Sequence, residues 1–454
     1  MSKNPSLIGE YLRPGRRIHL VGIGGVSMRP LGLVLHDMGL EITGSDMSES
    51  PSTADLIAKG IPVAIGHRAS NIAGAEALIR TAAVHNDNPE IAAARALGIP
   101  IFERAQAWGH IMKSYRQAIC IAGTHGKTTT TSMVTHIFME AQTDPTVMIG
   151  GYLPLLQAGH RVGRGDTIIM ESCEYCNSFL KFFPTIAVIL NVEADHLDFF
   201  KDLADVQKSF RAFAQLVPPG GCVIANGDDP NTTEALRGLE YETFGFSEGC
   251  DVRAVRCSED WRSFDVVCGG ELYGRFALQV WGRHNVLNAL GAIAVARRCG
   301  IDGETAARAL AQFHGAGRRL EFKGKYHGAD VYDDYAHHPG ELQALLTAVE
   351  AMGYRRILCA FQPHTYSRTH ALFEDFVREL RRVDVAVIAE IYAAREQNIL
   401  GISSADLAAQ VPGSVYCETL PQVTEALRRL AQPGDVILTV GAGDIYKAGE
   451  ALVK

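Results

Sequence analysis

The sequence predicts an α/β protein of three domains with mostly parallel sheets. Strand-like apolar runs alternate with helix-like runs almost throughout the 454 residues, and this alternation is typical of parallel strands joined by crossover helices. A chain of this length holds about three domains of typical size. Glycine turns follow apolar runs at three distant places, and from them we place the domains at residues 1–113, 114–318 and 319–454.

The first glycine turn predicts a Rossmann-like N-terminal domain. The apolar run Ile18–Val21 leads into this turn, and a second strand-like run, Glu41–Thr43, is followed by Ser45 and Asp46. An acidic residue about 20 positions after the glycines matches the ribose-binding layout of a Rossmann unit. Since a glycine pattern alone is weak, a turn that only packs a helix on a strand is the alternative.

The second glycine turn predicts a phosphate-binding loop and a central domain of the P-loop ATPase type. The loop lies in residues 120–131, which read CIAGTHGKTTTT. Gly123 and Gly126 let the backbone turn tightly so that amide N–H groups face phosphate oxygens, and Lys127 brings a positive charge to them. Because Ile121 stands at the first glycine position of the strict motif, an ordinary strand–turn–helix is the alternative. The elements predicted around the loop are a strand at Ala118–Ala122 and a helix at Thr129–Glu140.

Three further side chains of the central domain predict a magnesium site. A bound nucleoside triphosphate needs Mg²⁺, which prefers hard oxygen ligands, and Thr128 offers a hydroxyl. Glu171 and His196 each follow an apolar run, so both are expected at the sheet edge that carries the loop. We expect Glu171 to bind the same ion as Thr128, and His196 to bind a second one. A solvated strand end and a satisfied histidine near a turn are the alternatives.

The run Trp281–Leu290 contains a histidine and two asparagines whose role the residues alone leave open. Asn285 is suited to be the N-cap of a helix that ends before Gly300. In the functional interpretation, His284, Asn285 and Asn288 present imidazole and amide groups to adenine.

The segment from Arg319 onward predicts a Rossmann-like C-terminal domain that ends with the third glycine turn, Gly441–Gly443. Two of its loops, residues 333–339 (DDYAHHP) and 362–368 (QPHTYSR), are rich in polar groups. They are too polar for a core, and a cleft between the central and third domains would place them over the nucleotide. Two solvated loops are the alternative. Strands are expected near residues 328–332, 356–360, 385–389 and 436–440.

The composition argues against nucleic acid and membranes as partners. The formal net charge of −8 gives no basic footprint for nucleic acid. No apolar run is long enough to span a bilayer, and the polar start Met1–Gly15 lacks the apolar region of a signal peptide. The ten cysteines are scattered, and Cys173 with Cys176 has no second pair to complete a zinc site. We therefore expect a reduced, cytoplasmic protein.

Five motifs in this order resemble the Mur ligase family, and the likeness extends from the first glycine turn to the last. Their number and order make the resemblance specific at the level of the family. The motifs are GTHGKTTTT at 123–131, NVEADHLD at 191–198, GRHNVLNAL at 282–290, DDYAHHP at 333–339 and FQPHTYSRT at 361–369.

The resemblance implies an ATP-dependent ligase that uses Mg²⁺ in the synthesis of peptidoglycan precursors. In the implied reaction, ATP phosphorylates the lactyl carboxylate of UDP-N-acetylmuramate, and the amine of L-alanine then attacks the acyl phosphate. The first domain is then expected to bind the UDP-sugar, the second to bind ATP and the third to bind the amino acid.

The resemblance also implies roles for individual residues. Those implied in catalysis are Lys127, which stabilises the transferring phosphoryl group, Glu171, His196, His337 and Arg368. The implied metal ligands are Thr128, Glu171 and His196. Those implied in ATP binding are Gly123, Thr124, His125, Gly126, Lys127, Thr128 and Thr129 in the loop, His284, Asn285 and Asn288 at adenine, and Arg319 and Asp334 at the ribose and phosphates. Those implied in binding the other substrates are Gly22, Gly24, Gly25, Ser45 and Asp46 for the UDP-sugar, and Tyr335, His337 and Arg368 for alanine.

Three positions depart from the pattern of the family. Ser27 stands where relatives often have glycine. Thr365 stands where relatives commonly carry arginine, which removes one of the groups expected to hold the alanine carboxylate. Phe210 takes the place of a lysine that several branches carbamylate, and in this it resembles the alanine-adding branch.

Two other functions compete with this interpretation. A recycling ligase that joins a whole tripeptide to UDP-N-acetylmuramate shares the first two domains, although the runs 173–179 and 196–198 look less like that branch. A non-catalytic UDP-sugar sensor would have a degenerate ATPase, whereas Lys127, Glu171 and His196 are all present here.

Overall fold

The computed structural model describes residues 8–25, 27–81, 84–197, 199–394 and 396–454. The motif residues Val26 and Asp198 lie outside the described residues. The chain divides into two compact units, residues 1–253 with 291–306, and residues 254–290 with 307–454. None of the described helices is long and apolar enough to cross a membrane.

Within the described residues, the first unit opens with a five-stranded sheet. Its strands are β1 (Arg17–Val21), β2 (Glu41–Asp46), β3 (Val63–Ile65), β4 (Ala77–Arg80) and β5 (Ile101–Glu103). They run parallel in the order β3-β2-β1-β4-β5, so the strand order reverses beside β1, where the first glycine turn lies. The helices are α1 (Ile8–Tyr11), α2 (Met28–Asp37), α3 (Pro51–Ala58), α4 (Pro89–Ala96) and α5 (Arg104–Met112).

A second sheet in the same unit carries the phosphate loop. Its strands are β6 (Gln117–Ala122), β7 (Thr146–Leu153), β8 (Ala158–Arg161), β9 (Thr167–Glu171), β10 (Ile186–Ile189), β11 (Cys222–Asn226), β12 (Glu242–Gly245) and β13 (Val252–Val255). In the order β13-β12-β11-β10-β6-β9-β7-β8, all neighbours are parallel except β7 and β8. The helices are α6 (Lys127–Glu140), α7 (Leu203–Ala214) and α8 (Pro230–Ala235).

The second unit holds a hairpin and a further sheet. The antiparallel hairpin is formed by β14 (Ser263–Cys268) and β15 (Glu271–Ala277). The sheet contains β16 (Glu321–Tyr326), β17 (Ala329–Asp334), β18 (Ile357–Phe361), β19 (Val385–Ala389), β20 (Val415–Cys417) and β21 (Val436–Val440). Its order is β16-β17-β21-β18-β19-β20, and β16 alone among these described strands is antiparallel.

Helices connect the strands of this second unit. Two of them, α9 (Arg283–Arg298) and α10 (Gly303–Ala311), contain residues of both units. The remaining helices are α11 (Pro339–Glu350), α12 (Tyr366–Ala371), α13 (Phe373–Leu380), α14 (Ser404–Gln410), α15 (Leu420–Leu430) and α16 (Tyr446–Val453). The alternation of parallel strands with helices confirms the predicted α/β class.

A continuous hydrophobic core explains why the first two sheets form one unit. The rings of Phe179 and Phe213 stack with centroids 4.6 Å apart, and Phe210 meets Phe179 edge-on at 5.4 Å. Helix α5 belongs to the same cluster, and it approaches closely because Gly109 has no side chain: a Cβ there would lie 1.9 Å from the carbonyl oxygen of Lys181. Phe210 is therefore a core residue.

The predicted N-cap role of Asn285 is wrong. Helix α9 begins at Arg283, so Asn285 lies inside its first turn. The cause is Gly282, whose φ of 95° turns the chain early and whose carbonyl already accepts the Asn285 N–H at 3.0 Å. The Asn285 side chain instead donates to the carbonyl oxygen of Trp281 at 2.7 Å.

Candidate active site

The phosphate loop joins β6 to α6 at the carboxyl edge of the central sheet. Gly126 precedes the helix in the left-handed conformation, with φ of 81°, and Gly123 has φ of 153°. A Cβ at Gly123 would lie 2.9 Å from the Cβ of Leu190, so the loop needs a glycine there. Because Gly126 sets the start of α6, the helix begins at Lys127, two residues before its predicted start at Thr129.

The segment after β10 holds this loop in place. The backbone N–H of Thr124 donates to the carbonyl of Asn191 at 3.1 Å, and that of His125 donates to the Asn191 side chain at 2.7 Å. The hydroxyl of Thr124 accepts the N–H of Glu193 at 2.8 Å, and His125 Nε2 lies 3.3 Å from the Glu193 carboxylate. The carboxyl ends of two neighbouring parallel strands therefore shape one loop, as the sheet rule predicts.

The side chain of Lys127 is fully engaged with acceptors. Its Nζ donates to the carbonyl oxygens of Gly123 at 2.5 Å and Thr124 at 3.0 Å. It also lies 3.1 and 3.2 Å from the two carboxylate oxygens of Glu174, whose side chain is 2% exposed. Burial lowers the pKa of Lys127, but the negative charge of Glu174 outweighs it and holds that pKa above its usual value. The lysine is therefore charged at neutral pH.

Thr128 and Glu171 meet the same stretch of β7. The carboxylate of Glu171 accepts the N–H of Gly150 at 2.7 Å, and a Cβ at Gly150 would lie 2.3 Å from it. A Cβ at Gly151 would lie 3.1 Å from Cγ2 of Thr128, which is nearly buried in the first turn of α6. The two glycines thus let the Glu171 carboxylate and the Thr128 side chain pack against β7. This arrangement fits Mg²⁺, which binds through one or two protein oxygens together with substrate phosphates.

His196 lies on the same edge and shares Glu174 with Lys127. Its Nε2 lies 4.0 Å from Oε1 of Glu174 and 3.8 Å from Asp195, and its ring packs 4.8 Å from the ring of Tyr175. The backbone of His196 has φ of 53°, a left-handed conformation that histidine adopts uncommonly. Glu174 therefore lies between two predicted site residues, although the sequence analysis assigned it no role.

The glycine turn of the first sheet is tied to the end of β2. The N–H of Gly22 donates to the carbonyl of Ser45 at 2.8 Å, and the N–H of Gly24 donates to the carboxylate of Asp46 at 2.8 Å. The N–H of Gly25 closes the turn on the carbonyl of Gly22 at 3.2 Å. The structure thus brings all five predicted UDP-sugar residues together, with Asp46 bracing the turn.

A buried carboxylate that the sequence analysis missed lies beneath this turn. Glu90 accepts the hydroxyl of Ser45 and the amide of Asn71, each at 2.6 Å. His67 and His19 lie 3.3 and 3.6 Å from the same carboxylate. Burial raises the pKa of Glu90, but these hydrogen bonds outweigh it and lower that pKa to about 2. Ser45 is itself fully buried, so its hydroxyl serves the protein interior.

In the second unit, the residues predicted for adenine and ribose form one cluster. His284 is half-buried. Desolvation by the surrounding protein, together with the charge of Arg319, lowers its pKa to about 4, so the ring is neutral at pH 7. Arg319 also acts on Asp334, where its charge opposes the effect of burial. Asn288 donates to the side-chain oxygen of Asn285 at 3.2 Å, which fixes both amides on one face of α9.

The two aspartates at the end of β17 are buried, so the prediction that this loop is too polar for a core is wrong for them. Asp333 is 1% exposed and pairs with Arg318 at 2.8 Å. Asp334 is 8% exposed and accepts the N–H groups of Leu320 at 2.7 Å and Ala336 at 2.8 Å. Burial raises the pKa of Asp334 to about 6. The strand runs two residues beyond its predicted end, and these partners explain why polar groups are tolerated there.

Arg318 organises the loops around this cluster, although no motif identified it. Its guanidinium donates to the carbonyl oxygens of Gly441 at 2.6 Å and Gly443 at 3.1 Å. The same group lies 4.9 Å from the ring centre of Tyr335 and 4.7 Å from that of Tyr446. One side chain thus connects the third glycine turn with the loop that follows β17.

His364 lies between two of the residues predicted to bind alanine, His337 and Arg368. The ring of His337 lies 5.4 Å from that of Tyr335 and 5.8 Å from that of His364. Arg368 Nη1 lies 3.4 Å from Nδ1 of His364. His337 is oriented by Glu341, whose carboxylate accepts its backbone N–H at 2.9 Å. His364 belongs to the motif at 361–369, but its residue type and position predicted no role for it.

The backbone of Thr365 is strained. Its φ of 68° with ψ of 144° is a conformation that β-branched residues adopt very rarely. Neighbouring contacts impose it: the N–H of Thr365 donates to the carbonyl of Tyr392 at 2.9 Å, and its carbonyl accepts the hydroxyl of Thr369 at 2.7 Å. Thr365 is therefore the point where this loop bends.

Comparison with known proteins identifies the family. Three family models match successive parts of the chain: the Mur ligase family catalytic domain at 17–116, the Mur ligase middle domain at 121–296 and the Mur ligase glutamate ligase domain at 318–443. The chain belongs to the Mur ligase family, which confirms the resemblance seen in the motifs.

Relatives and a solved structure match almost the whole chain. A UDP-N-acetylmuramate–L-alanine ligase of Agathobacter rectalis is 45% identical over 96% of this chain and 97% of its own length. One of Caldanaerobacter subterraneus subsp. tengcongensis is 43% identical over 97% of both chains. A crystal structure of a UDP-N-acetylmuramate–alanine ligase of Thermotoga maritima matches with a TM-score of 0.81 at 29% identity, covering 96% of this chain and 98% of that one. The predicted three-domain α/β fold is thereby confirmed.

Proposed function

We propose that this chain is an ATP-dependent ligase that joins L-alanine to the lactyl carboxylate of UDP-N-acetylmuramate in the synthesis of peptidoglycan precursors. The observation that carries the proposal is the edge of the central sheet, where Lys127, Thr128, Glu171 and His196 surround one phosphate loop. The full-length identity to two relatives that are named for this reaction supports the choice of substrates.

The first step takes place at the phosphate loop. A lactyl carboxylate oxygen attacks the γ-phosphorus of ATP, an acyl phosphate forms, and the bond to the β-phosphate oxygen breaks to release ADP. Lys127 neutralises the charge that develops on the transferring phosphoryl group. The amides of the loop and the N-terminus of α6 favour the phosphate anions.

Metal binding at this edge is part of the proposal. Thr128, Glu171 and His196 are the side chains that would hold Mg²⁺, which when bound would supply positive charge to the phosphate groups. We propose that Thr128 and Glu171 serve one ion and that His196 with Glu171 supports a second.

The second step uses the side chains of the other unit. The amine of L-alanine attacks the acyl carbonyl, a tetrahedral intermediate forms, and its collapse releases inorganic phosphate and leaves the amide. Arg368 pairs with the alanine carboxylate, and Tyr335 and His337 position the amine. His284, Asn285, Asn288, Arg319 and Asp334 are proposed to hold the adenine and ribose of ATP.

The first sheet is proposed to bind the UDP-sugar through Gly22, Gly24, Gly25, Ser45 and Asp46. Because the Ser45 hydroxyl is donated to Glu90, we expect Ser45 to act by shaping the turn. The functional domains are proposed to span residues 1–113, 114–318 and 319–454. The protein is proposed to act in the cytoplasm.

The proposal is tested by product mass. Purified protein is incubated with UDP-N-acetylmuramate, ATP, Mg²⁺, the amino acids in equal amounts and the tripeptide of the recycling reaction. The expected product is UDP-N-acetylmuramate plus one alanine residue, formed together with ADP and absent when ATP is omitted. A tripeptide adduct would establish the recycling ligase instead, and binding of the UDP-sugar without any ADP formation would establish a sensor.

A further inference from the structure

Glu174 is a buried carboxylate that the proposed mechanism does not use. It follows β9 by three residues, and its side chain is 2% exposed. Both of its oxygens lie within 3.2 Å of Lys127 Nζ, and one lies 4.0 Å from Nε2 of His196. The carboxylate thus pairs with Lys127 and lies beside His196, two residues of the proposed phosphate site.

Stability gives no sufficient reason for this pair. Taking a carboxylate and an ammonium out of water costs several kcal/mol per ion before their attraction repays it, so a buried ion pair is weak evidence for a stabilising role. The ammonium is also held by two backbone carbonyls of the loop, those of Gly123 and Thr124. Glu174 completes this set of acceptors and is its charged member.

The segment that carries Glu174 is fixed by its own contacts. Its carbonyl accepts the N–H of Asn177 at 2.8 Å, and the carbonyl of Cys173 accepts the N–H of Phe179 at 3.2 Å. Cys176 and Asn177 both have φ of 54°, so the chain turns back at once and returns Phe179 to the core. Glu174 therefore has a rigid support, as a residue that orients another side chain requires.

We propose that Glu174 is a positioning residue for phosphoryl transfer, which holds the Lys127 ammonium at the phosphate edge while bound phosphate oxygens replace the loop carbonyls as its partners. The inference rests on the proposed function. Because Glu174 is itself an anion beside the phosphates, it gives ATP no ground-state attraction. Its loss should therefore appear in kcat, and the KM for ATP should stay the same or fall.

The first test compares Glu174→Gln and Glu174→Asp with wild type in the ligation assay. For Glu174→Gln we expect kcat to fall about tenfold to a hundredfold, the loss of one charge-assisted contact, without a rise in the KM for ATP. Glu174→Asp keeps the charge and should recover part of kcat. A Glu174→Gln enzyme with the kcat of wild type, or one that loses efficiency through a higher KM for ATP, would overturn the inference.

A matched control is Glu242→Gln. Glu242 lies 2.6 Å from Arg297 and is 13% exposed, so it also belongs to a partly buried ion pair. Glu242 is the first residue of β12. Because β12, β11, β10 and β6 all run parallel, Glu242 lies at the amino edge of the sheet, opposite the edge that carries the phosphate loop. We expect this variant to keep the kcat of wild type.

The second test needs no ligase activity. Lys127 is labelled with an amine-reactive reagent in the nucleotide-free protein, and its modification is followed by peptide mass. Its side chain is 15% exposed and saturated with acceptors, so we expect slow labelling in wild type and clearly faster labelling in Glu174→Gln. Equal labelling rates would overturn the inference whatever the protein catalyses. Faster labelling in a protein that makes no alanine product would overturn the proposed function and leave Glu174 as the group that holds the lysine.

Discussion

The phosphate loop of the first unit and the loop at residues 362–368 of the second are built on the same plan but fixed in different ways. Each follows a parallel strand and opens a helix. In the phosphate loop the bends fall on Gly123 and Gly126, residues that tolerate positive φ. In the loop at residues 362–368 the bend falls on Thr365, which is held there by contacts with Tyr392 and Thr369. A bend made by glycine is visible in a sequence, whereas a bend imposed by tertiary contacts is not.

The two regions also differ in how they bury charge. Lys127 has a carboxylate partner, Glu174, which keeps the pKa of the lysine above its usual value, so the lysine stays charged. Asp334 accepts backbone N–H groups and has Arg319 nearby, yet burial still raises its pKa to about 6. We therefore expect Lys127 to keep its charge near neutral pH, whereas Asp334 should titrate near pH 6.

The largest effect is expected from Lys127→Ala. Removing the charge that stabilises the transferring phosphoryl group should lower turnover about a thousandfold while the protein stays folded. Turnover is measured by ADP formation in the presence of both other substrates. The matched control is Lys323→Ala, which removes a lysine paired with Glu321 and Glu450 outside the site and should leave turnover unchanged. Near wild-type turnover in Lys127→Ala would show that the loop does not carry the chemistry.

The next effect is a pH dependence of stability. The pKa of Asp334 is raised by burial to about 6 from an unfolded value near 3.9, so the folded state favours the protonated carboxyl. This contribution to the free energy of unfolding is full below about pH 4 and is lost as the pH rises through about 6, amounting to about 3 kcal/mol.

Denaturant unfolding from about pH 4 to about pH 7 measures this contribution. Relative to Asp334→Asn, wild type should lose stability as the pH rises. Asp375→Asn, at an exposed ion pair on α13, is the control and should follow the wild-type profile. If the stability of wild type and of Asp334→Asn changed with pH in parallel, the raised pKa of Asp334 would be contradicted. The two regions would then not differ in their response to pH.

A selective loss is expected from Arg368→Ala. A charge-assisted bond to the alanine carboxylate is worth about 1.5–3 kcal/mol, so the KM for L-alanine should rise by about one to two orders of magnitude. The constants for ATP and the UDP-sugar should hardly move. Arg378→Ala, which removes an exposed arginine of α13, is the control. An equal rise of all three constants would mean that Arg368 supports the loop and does not bind alanine.

The smallest effect is expected at Thr365. Glycine relieves the unfavourable backbone conformation but loses entropy on folding, so Thr365→Gly should raise the free energy of unfolding by about 1 kcal/mol. Thr365→Ala keeps a Cβ and should not stabilise the protein. Denaturant unfolding of both variants checks this, and stabilisation by alanine alone would show that the side chain, and not the backbone, is the source of strain.

The sequence was sufficient for the fold class and for the groups that follow strands. Lys127, Glu171 and His196 could be predicted to lie at one edge of a sheet because the carboxyl ends of neighbouring parallel strands lie there. The glycine turns after β1 and β6 were recognisable for the same reason. What these cases share is that local pattern and sheet geometry alone determine the position of the side chain.

The rest depends on contacts between distant segments. Glu174 lies in a segment that turns back at two left-handed residues, Cys176 and Asn177. The hydrophobic pattern of the sequence does not predict such a turn. Arg318 is an organising residue only because the third glycine turn comes within reach of its guanidinium. The N-cap prediction for Asn285 failed because Gly282 started the helix earlier.

The most direct test of the account follows an oxygen atom. The central claim is that the phosphate loop first turns the lactyl carboxylate into an acyl phosphate, which the amine of L-alanine then attacks. UDP-N-acetylmuramate labelled with ¹⁸O at both carboxylate oxygens is incubated with ATP, Mg²⁺ and L-alanine, and the inorganic phosphate is analysed by mass. The account predicts one ¹⁸O atom in each phosphate and the other in the amide product. Amide product accompanied by unlabelled phosphate would contradict it.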